Sequence, residues 1–364
     1  MTAVTPIIFS GHNERAVIAL CRYLKDNNVP FFIVSRSGND AIYRTDWRRN
    51  VVFQRDSDEL SIKLMQKINQ ALPIHVETPA FCPTSEFLNA FILENRQPLE
   101  GLGWLVNFPD SDIYQDLSNK ARSPKIIQSL TAIMPPPSLS SMQWQGPCVL
   151  KPKYNISNGK VLYPLLCNTK AEFIKNLRAI ESTEWFVQKL IVGDSIYLCS
   201  YLDKSGAWSA YWQENLLQQP GGKSMVLSRS TRNPGVDVPS LMQGLHGLGY
   251  FGPFMMEIIR DKVGVLHFIE VNPRFWGPLE LCRSACPSLL GRFLSDLNSQ
   301  AGHCSEEVSN GLTYWYAWAF GALNSKCHVY PGLNSSLSRV DTTEMLLKYD
   351  VYAGSDTKEL HNRH

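Results

Sequence analysis

Apolar and polar positions change period along this chain. In the N-terminal third, short runs rich in β-branched and aromatic residues alternate with segments of helical period. Strands are expected at 7–10, 30–35, 51–53 and 74–78, with helices over 16–24 and 59–72 between them. A further helix runs towards Asn95, and Thr84 or Ser85 ahead of Glu86 can cap it. Strand, helix, strand in succession requires a crossover, so this part reads as a parallel, Rossmann-like α/β unit. The middle predicts a short helix over 126–132, an extended connection at the prolines 135–137, and a strand at 147–153 that delivers Lys151 near its end. A polar loop over 154–160 returns as a strand at 161–166. Thr169 and Glu172 make a capping-box pattern, and a strand over 184–190 leads into Gly193. Beyond it the period becomes two. Runs at 196–202 and 208–214 flank a turn at 203–206, and runs at 254–260 and 265–272 flank a turn at 261–264, so both read as β-hairpins. In the tail, Tyr314, Trp315 and Trp318 fit a helix face and a strand equally, as a packed cluster, a dimer contact or a lid. Residues 341–348 read as one short capped helix, and the polar sequence past Tyr352 as loosely ordered.

The second hairpin carries the chemistry. Folded about that turn, it is expected to set Glu257 opposite Glu270, and residues two apart share a strand face, so Asn272 and then Arg274 join them. Two carboxylates directly opposite repel, and a divalent cation would remove the conflict. Two carboxylates and an amide oxygen are hard ligands, suited to Mg²⁺ or Mn²⁺ rather than zinc. The alternative is a solvated hairpin face that happens to carry acids.

Composition narrows the picture. With 44% hydrophobic and 19% charged residues and a net charge of +2, nothing argues for a nucleic-acid or membrane partner. Nine cysteines without a CxxC pair read as reduced thiols in a cytoplasmic protein, and the N-terminus shows no signal-peptide pattern. No G-x-G-x-x-G follows the first strand, which excludes the usual dinucleotide fingerprint. Gly221-Gly-Lys-Ser224 lacks the earlier glycine and the preceding strand of a P-loop. His12, Asn13 and Glu14, at the carboxyl end of the first strand, suit a substrate contact and a surface loop equally; so do Arg229 and Arg232 beyond the glycine loop.

Taken with this order of elements, Phe268-Ile-Glu-Val-Asn-Pro-Arg-Phe-Trp-Gly277 resembles the Glu-x-Asn-x-Arg signature of the ATP-grasp superfamily, in the variant of its carbamoyl-phosphate-synthase-like group. The resemblance implies a chain of α/β and α+β class. A Rossmann-like pre-ATP-grasp domain (1–115) would precede a small lobe with phosphate-binding lysines (116–187). A large lobe (188–300), with a largely antiparallel sheet holding the metal site, and a C-terminal extension packed on it (301–364) would follow. ATP and Mg²⁺ (or Mn²⁺) are the cofactors it implies. Glu257, Glu270 and Asn272 would hold the metal, and Arg274 would face the transferred phosphoryl group. Lys151 and the earlier Lys120 would contact the nucleotide phosphates, with Lys160 in a covering loop. The backbone of Gln188, Lys189 and Leu190 would read adenine, and Asp194 the ribose. The sequence departs from the family in two places: the covering loop has one glycine instead of several, and Ser195 stands where many relatives place the ribose-binding acid.

The implied activity is ATP-dependent joining of a small-molecule carboxylate to an amine through an acyl phosphate, with a homodimer left open. A different acceptor (carboxyphosphate or carbamoyl-phosphate chemistry, or a hydroxyl) and a nucleotide-binding regulatory protein without turnover are the competing readings.

Overall fold

The computed structural model describes residues 4–36, 39–139, 143–157, 160–180, 182–300, 304–308, 311–323, 325–334 and 339–361. The N-terminal unit holds four parallel strands, β1 (Val4–Phe9), β2 (Phe32–Ser35), β3 (Val51–Gln54) and β4 (Thr78–Phe81), in the order β3-β2-β1-β4. Alternation along β1 sends Ile8 to one face, against α1 (Glu14–Asp26), and Ile7 and Phe9 to the other, against α2 (Ile62–Ala71) and α3 (Glu86–Glu94). The fourth strand lies four residues later than its periodicity suggests. Ile74 is fully exposed, whereas Pro79, Ala80 and Phe81 form the continuous buried run that a parallel strand needs. Pro79 is tolerated because β4 is an edge strand.

Helices α4 (Arg96–Gly101), α5 (Ser111–Ser118) and α6 (Ser123–Thr131) lead to a small antiparallel sheet. There β5 (Cys148–Pro152) lies between β8 (Leu165–Cys167) and β9 (Trp185–Lys189). Between them come the short pair β6 (Ile156–Ser157) and β7 (Lys160–Val161), then α7 (Lys170–Leu177), closed by the expected capping box at Thr169 and Glu172. The return strand expected at 161–166 is therefore split in two at Pro164, which cannot donate to a ladder.

The large sheet runs β14-β13-β10-β11-β12-β16, built from β10 (Gly193–Leu202), β11 (Trp208–Gln218), β12 (Met225–Thr231), β13 (Gly252–Asp261), β14 (Leu266–Asn272) and, in the tail, β16 (Trp315–Ala317). Every pair on that path is antiparallel. β15 (Glu306–Glu307) and β17 (His328–Val329) add to β11. One face packs Ile196, Leu198, Met256, Ile258 and Phe268 against α6 and α8 (Val238–Gly247). The other packs Cys199, Tyr201 and Tyr211 with α1, α9 (Leu279–Ala285) and α10 (Pro287–Leu297), so one core runs from the N-terminal unit into the large sheet. No helix among the described residues is long and apolar enough to cross a membrane.

Past β16 come α11 (Ala319–Leu323), α12 (Pro331–Asn334), α13 (Arg339–Lys348) and α14 (Lys358–His361). The aromatic run thus divides: Trp315 begins a strand paired with β12, and Trp318 follows it. The end of the chain corrects the expectation of loose order. Arg22 binds Asp356 through two nitrogens at 2.8 Å each, Trp47 Nε1 donates to the same carboxylate at 3.0 Å, and Leu360 is buried. The extension therefore contacts the N-terminal unit as well as the large sheet. Asp356→Ala should remove about 2 kcal/mol, because Arg22 is left partly buried without that partner. Urea denaturation checks the magnitude, and faster limited proteolysis within 353–361 checks that the end has come free.

Candidate active site

The carboxylate pair is built by the hairpin β13–β14 and by one irregularity in it. Arg260 pairs with Leu266, Ile259 with His267 and Ile258 with Phe268. Continued evenly, that register would set Glu257 opposite Ile269. A β-bulge adds Ile269 to the longer side, and Glu257 pairs with Glu270 instead. The carbonyl the bulge frees does not go begging: Lys151 Nζ donates to Ile269 O at 2.9 Å.

Two lysines converge on this pair. Lys120, from the turn before α6, reaches Glu270 Oε2 at 2.5 Å, and Lys151 arrives from β5. They are only 3% and 4% exposed, so neither could stay charged without acidic company. Burial and the charge of Lys120 lower the Lys151 ammonium below its ordinary value. Burial alone would raise Glu270, but Lys120 and Lys151 overcome it and hold that carboxyl below the usual range. Glu257 goes the other way: burial, then the charge of Glu270, push it well above the carboxylate range. The charge of Lys151 opposes that rise without overcoming it, and the hydrogen-bonding company of Glu257 is hydroxyl: Ser195 Oγ donates at 3.1 Å, with the Tyr197 hydroxyl beside it. The two acids therefore differ, one ionised against lysines and one inclined to keep a proton.

Asn272 follows on the same face and donates to Glu270 Oε1 at 3.0 Å. Arg274 bonds Glu86 Oε1 at 3.2 Å and the Phe275 carbonyl at 3.0 Å. Asn155 Nδ2 bridges Glu86 (2.8 Å) and Asn272 (3.1 Å). Glu86 and Asn155 complete the cluster and were not expected from the sequence. Glu86 resembles any first-turn acid behind a serine cap, and its arginine partner lies 188 residues away. The segment after β14 is held by the N-terminal unit: Asn13 Nδ2 donates to the Thr84 and Phe275 carbonyls, and Phe275 N donates to Pro83 O at 2.8 Å.

Comparison with solved structures places the whole architecture. Biotin carboxylase from Campylobacter jejuni, in a β,γ-ATP complex, superposes with a TM-score of 0.65 at 14% identity, over 86% of this chain and 75% of that one. The biotin carboxylase domain of Hydrogenobacter thermophilus 2-oxoglutarate carboxylase, a dimer with MgADP, ADP and bicarbonate, gives 0.62 at 14% identity, covering 86% and 74%. N5-carboxyaminoimidazole synthetase from Staphylococcus aureus gives 0.56 at 13% identity, covering 84% and 80%. The chain has the ATP-grasp fold. No protein-family model matches the sequence, and a search of curated proteins finds no match.

Within that fold, Glu257, Glu270, Asn272, Lys120, Lys151 and Arg274 lie in one connected cluster, while other expected contacts stand apart. Strand alternation puts Ser195, not Asp194, on the face of Glu257; Asp194 projects from the other face and pairs with Arg260 at 3.0 Å. Asp194, expected at the ribose, thus stands on the face away from Glu257. Gln188 is buried, and its amide donates to Pro136 O at 3.3 Å. The N–H groups of Lys189 and Leu190 donate to Pro137 O and Pro147 O. Only the backbone of Lys160 is described; its side chain, with Asn158 and Gly159 of the covering loop, lies outside the described residues. His12 stacks on Phe87 with its Nε2 buried and unpartnered, away from the acids. Arg229 pairs with Glu214 at 2.8 Å, and with Arg232 it lines a separate cleft of about 290 Å³.

The donor set fits a hard divalent ion. It offers oxygen ligands only, and no group of three or more acids, histidines or cysteines gathers among the described residues. An ion that keeps several waters and takes phosphate oxygens matches so short a protein set, and Mg²⁺ is of that kind. Because Glu257 is inclined to hold a proton, cation binding should release one. Metal affinity should therefore rise with pH across the interval, above the usual carboxylate range, in which Glu257 ionises. Calorimetric Mn²⁺ titrations in buffers of different ionisation enthalpy would show the proton, and Glu257→Gln should abolish it.

Proposed function

We propose that this protein is an ATP-dependent ligase that activates a carboxylate as an acyl phosphate and joins it to an amine. One observation carries the reading: an ATP-grasp fold that brings Glu257, Glu270 and Asn272 together with Lys120, Lys151 and Arg274. A carboxylate oxygen attacks the γ-phosphorus, the bond to the β-phosphate oxygen breaks, and ADP leaves. The amine nitrogen then attacks the acyl carbon, the carbon–oxygen bond to phosphate breaks, and the amine loses a proton.

Catalysis of this kind is positioning and charge neutralisation, which is what the cluster offers. Glu257, Glu270 and Asn272 would hold Mg²⁺, whose chemistry there is to draw charge from the nucleotide phosphates. Lys120 and Lys151 are anchored on Glu270 and on the Ile269 carbonyl, so they are held ready for a polyanion. Arg274, with Nε and one terminal nitrogen engaged, keeps its second terminal nitrogen without a partner among the described residues and directs it to the acyl phosphate. Glu86 holds that guanidinium in place from the N-terminal unit. A second reading takes bicarbonate as the carboxylate, supported by the Hydrogenobacter neighbour, which was solved with MgADP and bicarbonate.

A coupled ADP-release assay over a panel of carboxylates and amines, with bicarbonate as a separate arm, tests both readings. Substrate-dependent ADP release is expected, and Glu270→Gln should lower it by about 100-fold or more. Release driven by bicarbonate without another acid would favour the second reading. Release that survives Glu270→Gln would remove the metal assignment.

A further inference from the structure

One side-chain amide joins three parts of the molecule. Asn155 follows β5, and its Nδ2 donates in two directions. One bond goes to Glu86 Oε1 at 2.8 Å, on α3 of the N-terminal unit, and the other to Asn272 Oδ1 at 3.1 Å, at the end of β14. The backbone around Asn155 is clamped. Lys153 N donates to Glu184 O at 2.9 Å, Lys153 O accepts from Lys120 N at 2.8 Å, and Asn155 O accepts from Leu162 N at 2.8 Å. Glu86 Oε1 also accepts from Arg274 Nε, Asn272 Nδ2 donates to Glu270 Oε1, and Lys120 binds Glu270 Oε2. An unbroken chain of bonds thus runs from Arg274 to Lys120, and Asn155 is the link that crosses between the units.

We propose that Asn155 is a positioning residue for the metal site: it fixes the Asn272 amide, so that seating the small lobe on the large sheet completes the ligand set. An amide oxygen accepts twice, so Asn155 uses one acceptor position of Asn272 Oδ1 and leaves the other for a cation. The Asn272 nitrogen is already committed to Glu270. Exchanging oxygen and nitrogen by a flip would set N–H against the N–H of Asn155, and oxygen against the Glu270 carboxylate. Both contacts resist that flip; without Asn155, only the one at Glu270 does. The other N–H of Asn155 shares Glu86 with Arg274, so the metal ligand and the arginine are held from the same point. The inference rests on the proposed metal role of Asn272.

Calorimetric titration of the full chain tests it, with Mn²⁺ alone and, in chelator, with a non-hydrolysable ATP analogue alone. Asn155→Ala should weaken Mn²⁺ binding roughly tenfold, as loss of an outer partner of a metal ligand does, and leave the metal-free binding of the analogue unchanged. Asn155→Leu keeps the bulk, removes both donors and should lose as much, with cooperative melting retained. Adding Asn155→Ala to Asn272→Ala should cost no further Mn²⁺ affinity, because the first acts through the second. A loss confined to the analogue would make Asn155 a cover for the nucleotide and overturn the proposal. So would parent-like Mn²⁺ binding by Asn155→Leu, a further loss in the double variant, or loss of cooperative melting in both single variants at Asn155. Asn272→Ala separates the two levels. If it weakens Mn²⁺ binding while Asn155→Ala does not, only the positioning role falls; if it binds like the parent, the metal role of Asn272 falls and this proposal with it.

Discussion

Two glutamates facing each other across a hairpin is an arrangement that a sheet resists, and much of this molecule answers it. At the spacing of a directly opposed strand pair, like charges in a poorly hydrated site repel strongly. The protein relieves the repulsion unevenly. Glu270 receives Lys120 and feels Lys151, whereas Glu257 feels Lys151 too little to offset burial and the charge of Glu270, and holds a proton more tightly. The cations come from a turn and a small lobe separate from the sheet that holds the acids, so the lobes meet through their charges. A polyanion carrying its own divalent ion matches both halves at once.

The bulge at Ile269 decides whether that arrangement exists. With a side-chain period of two, a shift of one residue sends a strand's set to the opposite face. An even ladder would have placed Glu257 opposite an isoleucine and left Glu270 on the wrong face. The same bulge frees the carbonyl that seats Lys151. One backbone irregularity therefore sets the spacing of the acids and the position of a lysine, and a straight hairpin could supply neither.

How much of this was legible follows from the range of the forces involved. Local patterns were sufficient for the βαβ opening, the Thr169 capping box and the hairpin around 203–206, because each depends on residues a few positions apart. The Glu257–Glu270 pairing was expected from the hairpin, yet it depends on a bulge that the sequence reading did not include. The fourth strand was placed early because alternation in 74–76 mimicked a half-buried strand, while the buried run lay just beyond. Asp194 and Ser195 are neighbours in sequence, and strand parity puts only Ser195 on the face of Glu257. Glu86 and Asn155 were invisible for another reason: their partners are distant in sequence, and no local rule distinguishes them from ordinary surface residues.

Those distant partners share a direction. Glu86 and Asn13 reach the site from the N-terminal unit, and Asn155 from the small lobe. Each one bonds a residue that the local hairpin presents but cannot orient by itself. Asn13 fixes the backbone at Phe275, Glu86 the guanidinium of Arg274, and Asn155 the amide of Asn272. A hairpin alone is marginal in water and leaves long polar side chains free to rotate. Holding several such side chains to the tolerance that phosphoryl transfer needs requires supports from outside it. The signature residues can therefore be read in one short stretch of sequence, while the groups that make them act as a single site are spread over the whole chain.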